Sequence, residues 1–291
     1  MSETPPFAAF RTVIRRRAAT PLPLARYLLL TTETHALCGS LAFFAMLGFY
    51  PLGLLLFSLA KHVLRSAPAL EVVRLALHSY YPAGQDFLLR NLDVSSRLAA
   101  EQVTLHGSLW ILLGGAGVFI PLETAFNRLW GFSNHRSYWH NQLVGFLLTI
   151  VCWMLAVGLV LAIALAPAFV RGPLLHGAAL AAAAIAVFLF YVVLPHGRVA
   201  SAAALPWAVL TALAAEAVRL GFDALLPVLD LPKSQGPYHV SVSFLVLVYV
   251  EAFVLLGGAF LAAETARELE ASSGEPRPDR VATAASSPAA R

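Results

Sequence analysis

Six apolar stretches, each long enough to cross a bilayer as a helix, dominate the sequence and fix what this chain can fold into. They cover about 36–60, 105–126, 143–170, 174–194, 202–228 and 239–263 of 291 residues. A hydrocarbon core of about 30 Å takes roughly 20 residues of α-helix, and each backbone polar group must find its partner inside that segment. No soluble core helix needs runs of this length. Composition agrees, with 59% hydrophobic residues and only 12% charged against roughly 25% charged in soluble domains. The expected fold is all-α, a polytopic membrane bundle of six transmembrane helices with short amphipathic helices between spans 1 and 2. The Arg-bearing segment before Thr34 is not a cleavable signal, because the first apolar run begins too late and is too long for one.

Orientation follows from Lys and Arg in the short loops. One side collects Arg11, Arg15, Arg16, Arg17, Arg26, Arg128, Arg136, Arg198 and the tail residues Arg267, Arg277, Arg280 and Arg291. The short loops of the other side hold Arg171 and Lys233, and its long segment 61–104 mixes bases with Glu71, Asp86, Asp93 and Glu101. Both termini are therefore expected to be cytoplasmic. Arg15-Arg16-Arg17 suits the anionic head groups of the inner leaflet, so membrane lipids are the expected partner and nucleic acid is not.

The chain divides into a cytoplasmic amphipathic segment at 1–33, interrupted by Pro21 and Pro23, a six-span membrane domain at 34–265, and a disordered cytoplasmic tail at 266–291. The extracytoplasmic segment 61–104 holds two expected helices, Pro68–Tyr80 and Asp86–Gln102, lying on the membrane surface or capping the bundle. Gly114, Gly115 and Gly117, the Ala178–Ala186 stretch and Gly257-Gly258 allow close helix approach.

Charge inside the spans is the strongest functional signal. Glu216, Arg219 and Asp223 sit at helical offsets of three and four, which stacks them on one face of the fifth span. One charge at mid-bilayer costs about 2.5–3.5 kcal/mol on insertion scales. The trio is expected to turn inward, with Arg219 between the two carboxylates, as a substrate-binding or coupling site or as an ion network that fixes helix register. Glu251, midway along the sixth span, has no base one turn away in its own helix, which makes Arg219 its expected partner. Glu123, Asn127, Arg128 and Arg198 form a second group, read as a cytoplasmic gate or interface, with Arg198 a topology determinant or a partner of lipid phosphate or Glu123. The nine histidines are scattered, Cys38 and Cys152 lie in apolar stretches, and no spacing gathers a metal or an activated nucleophile. No enzyme activity, metal or cofactor is expected.

The run Leu41-Ala42-Phe43-Phe44-Ala45-Met46-Leu47 to Tyr50-Pro51 resembles the opening helix of the YihY/BrkB family of membrane proteins. Phe126-Asn127-Arg128-Leu129-Trp130 resembles its Asn-x-x-Trp element, and Pro195-x-x-Arg198-Val199 before a helix containing Glu216 resembles its fourth loop and fifth span. Leu255-Leu256-Gly257 is similar to the approach to its final Gly-Ala-Glu, which reads Gly257-Gly258-Ala259 here. The resemblance implies a multi-pass protein of the bacterial inner (plasma) membrane, in a family once labelled ribonuclease BN and connected with serum resistance or lipid export. Two functions remain in view. One is a transporter-like protein handling a lipid or a small charged or amphiphilic solute through a charged intramembrane cavity. The other is a non-transporting envelope scaffold built on segment 61–104.

Overall fold

The computed structural model describes residues 6–58, 65–80, 103–132, 137–230 and 238–273, which form helices and no strand. We number them α1 (Pro6–Ala19), α2 (Leu22–Leu30), α3 (Thr32–Ser58), α4 (Ala67–Tyr80), α5 (Val103–Trp130), α6 (Tyr138–Ala164), α7 (Ala168–Val193), α8 (Ser201–Leu229) and α9 (His239–Ser273). Each expected span overlaps one of α3 and α5 to α9. By length and composition four described helices can cross a membrane, α6 to α9, and a fifth span arises if α2 and α3, bent by 61° to each other, count as one. The expected helix at Asp86–Gln102 lies outside the described residues, as does the tail beyond Ser273. The last helix runs on to Ser273, through the first residues of the segment expected to be a disordered tail.

Helix ends follow local chemistry. α5 stops at Gly131, whose φ of 73° is the left-handed conformation open to glycine. The Phe132 amide donates to the Asn127 carbonyl at 2.8 Å and the Gly131 amide to the Arg128 carbonyl at 3.2 Å, the two bonds of a Schellman stop. Asp230 closes α8 with a φ of 44°. Between α2 and α3, Thr31 is extended, so the last carbonyls of α2 need other donors. The Thr34 hydroxyl donates to the Tyr27 carbonyl at 3.0 Å, and the His35 ring Nε2 lies 3.1 Å from the Leu29 carbonyl. A carbonyl can only accept, so Nε2 carries the proton, and in the neutral ring Nδ1 accepts from the Tyr249 hydroxyl at 2.7 Å.

The core lies where α3, α5, α7, α8 and α9 meet, around Phe126, Trp130, Tyr191, Leu194, Trp207 and Leu256. α3 and α5 run antiparallel: Glu33 pairs with Arg128, while Phe44 lies over Gly117. α8 and α9 do the same, in a register read from two contacts and one electrostatic neighbour. The Trp207 indole donates to the Thr265 hydroxyl at 2.8 Å, Gly258 lies against Thr211, and Glu251 is within electrostatic reach of Arg219. The Tyr191 hydroxyl of α7 joins that seam, donating to the Leu255 carbonyl at 2.9 Å and lying 3.1 Å from the Thr211 hydroxyl. Outward faces of α6 and α8 carry exposed aliphatics such as Leu143, Leu147, Leu213 and Leu220, as hydrocarbon contact requires. α4 turns Ala69, Val72 and Val73 inward, with Val72 packed on Ile163 and Leu175, and so covers the end of the α6–α7 pair.

The seam depends on hydrogen in place of a side chain at Gly258. A Cβ there would collide with both the Thr211 and Tyr191 hydroxyls. Gly258→Ala is expected to lower stability by about 1–3 kcal/mol. Gly39→Ala, where a Cβ meets nothing within 4 Å, should be neutral or slightly stabilising. Thermal unfolding of the two variants in detergent checks the contrast.

Candidate functional site

Arg219 projects from the middle of α8 toward α9 and is only 6% exposed. A guanidinium keeps its charge even in low dielectric, so its five donors must be answered locally. Glu216, one turn earlier, takes two of them: Nε donates to Oε2 at 3.0 Å and Nη2 to Oε1 at 2.6 Å. Asp223, one turn later, takes Nη1 at 2.9 Å. The bidentate fork on Glu216 is the stronger and more directional of the two pairings. Glu216 and Asp223 are each half-buried. The inward turn of this face, expected from the cost of charge in a bilayer, is seen most directly at the arginine.

Glu251 of α9 is half-buried. Arg219 and Glu216 are its electrostatic neighbours, and His176 of α7 is within electrostatic reach of Glu216. With every acid ionised and His176 neutral, three carboxylates surround one guanidinium, a net charge of −2. Such a site favours a proton or a cationic group and repels a bare phosphate. Among the described residues no group of three His, Cys, Asp or Glu is placed to hold a metal.

The second group sits at the end of α5, where three elements converge, and its pairings differ from those expected. Glu123 is buried and pairs with the His196 ring, not with Arg198, which is exposed. Asn127 Oδ1 accepts from the His196 amide at 2.8 Å, so Glu123 and Asn127, one turn apart, hold the side chain and backbone of one residue. Arg128, exposed as a surface anchor would be, pairs with Glu33 of α3. Arg267 of α9 donates to the Leu129 carbonyl. The Phe132 ring lies on Gly197, leaving no room there for a Cβ. The loop 194–200 is thus fastened at two adjacent residues, His196 to α5 and Gly197 to the turn that follows it. Sequence reasoning passed over His196 because it sought histidines at metal-binding spacing; its distance of 73 residues from Glu123 left no local signal.

The N-terminal segment also docks against the bundle. Arg17 makes a two-pronged pair with Glu264 of α9, with Nε to Oε2 at 2.6 Å, and its guanidinium stacks 5.8 Å from the Phe260 centroid. That hydrogen bond holds the Arg17 pKa above its ordinary value, against the opposing effect of burial. Arg16 pairs with Glu268 at 2.8 Å, and Phe10 meets Trp207 edge-on at 4.9 Å.

Asn127→Leu would leave the buried-side amide of His196 without its acceptor, and stability is expected to fall by about 1–3 kcal/mol. Arg198→Ala, at an exposed position, should stay within about 0.5 kcal/mol of the parent. Paired thermal unfolding curves test this assignment of the loop's anchor.

No curated protein and no solved structure matches the chain. A family model does: that of the virulence factor BrkB matches residues 29–282, which takes in every helix from α3 to α9 and both charged groups. The chain belongs to the BrkB (YihY) family.

Proposed function

We propose that this protein is a six-span, transporter-like protein of the bacterial inner membrane, with both termini cytoplasmic, that handles a lipid or a small charged or amphiphilic solute. The working site is the charged patch between α8 and α9, a partly hydrated cavity formed by Glu216, Arg219, Asp223 and Glu251, and no catalytic step is part of the reading. The observation that carries it is the imbalance there: a buried Arg219 already engaged by two carboxylates, with a third, Glu251 of α9, within electrostatic reach. A purely structural ion pair on α8 needs no acid from α9. Excess acid at a helix seam instead provides a place where a proton or cationic group can bind and leave. The end of α5 serves as the cytoplasmic gate, because Glu123 and Asn127 control the loop that leads into α8.

The scaffold reading assigns the work to segment 61–104. Its described part, α4, directs its apolar face to the bundle, which favours the first reading.

The test is flux in reconstituted vesicles, followed as proton movement under an imposed pH gradient and as transbilayer movement of fluorescent phospholipids. Arg219→Leu is expected to insert normally and lose at least about tenfold in rate, the effect of some 1.4 kcal/mol. Arg219→Lys should retain part of the activity. Equal rates for the leucine variant and the parent contradict the proposal.

A further inference from the structure

The docking of α1 splits the basic triplet. Residues 6–30 contain Arg11, Arg15, Arg16, Arg17 and Arg26 and no acid. Glu264 and Glu268 engage Arg17 and Arg16. The remaining three arginines are exposed, and their neighbours on the helix surface are unusual. On α1, Arg11 lies three residues before Ile14, which is 40% exposed, and four before Arg15, so both are its neighbours on the helix surface. On α2, Arg26 lies four residues after Leu22 and three before Leu29, which are 73% and 64% exposed. The opposite face of α1 is already filled, with Ala9 and Val13 buried, and Phe10, at the margin between the two faces, meets Trp207.

We propose that these two stripes, Arg11–Ile14–Arg15 and Leu22–Arg26–Leu29, form a docking surface for the anionic head-group layer of the bilayer that the bundle crosses. Aliphatic side chains enter the acyl boundary while guanidinium groups reach up to the phosphates, as snorkelling side chains do. A protein partner would need to supply both acids and an apolar surface. The bilayer supplies both and is already adjacent, since α2 leads directly into α3, with which it meets the criteria for a span. The stripes are separate from the charged site between α8 and α9, so the surface stands or falls independently of transport.

The experiment uses the full chain in nanodiscs of phosphatidylcholine alone or with phosphatidylglycerol. A nitroxide is attached through Ile14→Cys in a background carrying Cys38→Ala and Cys152→Ala, and its depth is read by power saturation. Native mass spectrometry counts phosphatidylglycerol retained by the unlabelled parent and by an Arg11→Gln, Arg15→Gln, Arg26→Gln variant. The expected result is a label at the head-group boundary in the anionic discs and its shift toward water in the triple variant. Preference for the anionic lipid should fall by roughly a hundredfold, the combined effect of three arginines near a charged surface. A label fully accessible to a water-soluble relaxant in anionic discs would overturn the proposal. So would depth and lipid retention unchanged by removing the three charges, which would indicate an apolar or protein contact instead.

Discussion

An arginine in the middle of an apolar helix cannot be accommodated by giving up its proton, and the rest of this architecture follows from how Arg219 is satisfied. Carboxylates must accompany it, and i−3 and i+4 are the positions that α-helical geometry brings within reach of its fork. Glu216 and Asp223 stand there. Three charged side chains on one stripe cannot face acyl chains cheaply, so the stripe rotates α8 until Arg219 is buried toward α9. That rotation places Trp207 and Thr211 on the same side, where they meet Thr265 and Gly258.

Polar contacts, more than apolar area, specify the seam. Lipid tails solvate leucine as well as another helix does, so specificity between spans comes from close approach and interhelical hydrogen bonds. Tyr191, Thr211, Gly258 and the Leu255 carbonyl form one such knot. Trp207 and Thr265 form another.

What the sequence made legible was local. Helix existence came from run length, and the stacking of Glu216, Arg219 and Asp223 from offsets shorter than two turns. Arg219 as an electrostatic neighbour of Glu251 could be anticipated only because few bases lie inside the spans. Long-range partners had no such signal. Arg17 finds Glu264 across 247 residues, so the segment that reads as an amphipathic entry packs against the last helix. Glu123 looks to Arg198 if charge alone is considered, yet the Schellman turn at Gly131 and the packing of Phe132 on Gly197 bring His196 to it first. α4 illustrates the same limit: the helix was legible locally, but the burial of Ala69, Val72 and Val73 depends on partners such as Ile163 and Leu175, which pack on Val72 from far along the chain.

A double-mutant cycle between Arg219→Met and Glu251→Gln, read as unfolding free energy in detergent, probes the central electrostatic coupling across the α8–α9 seam. Charges that face each other in a low-dielectric interior should couple by about 0.5–3 kcal/mol. Strict additivity of the two substitutions would mean that the guanidinium and the α9 carboxylate do not share one site, and would contradict the account.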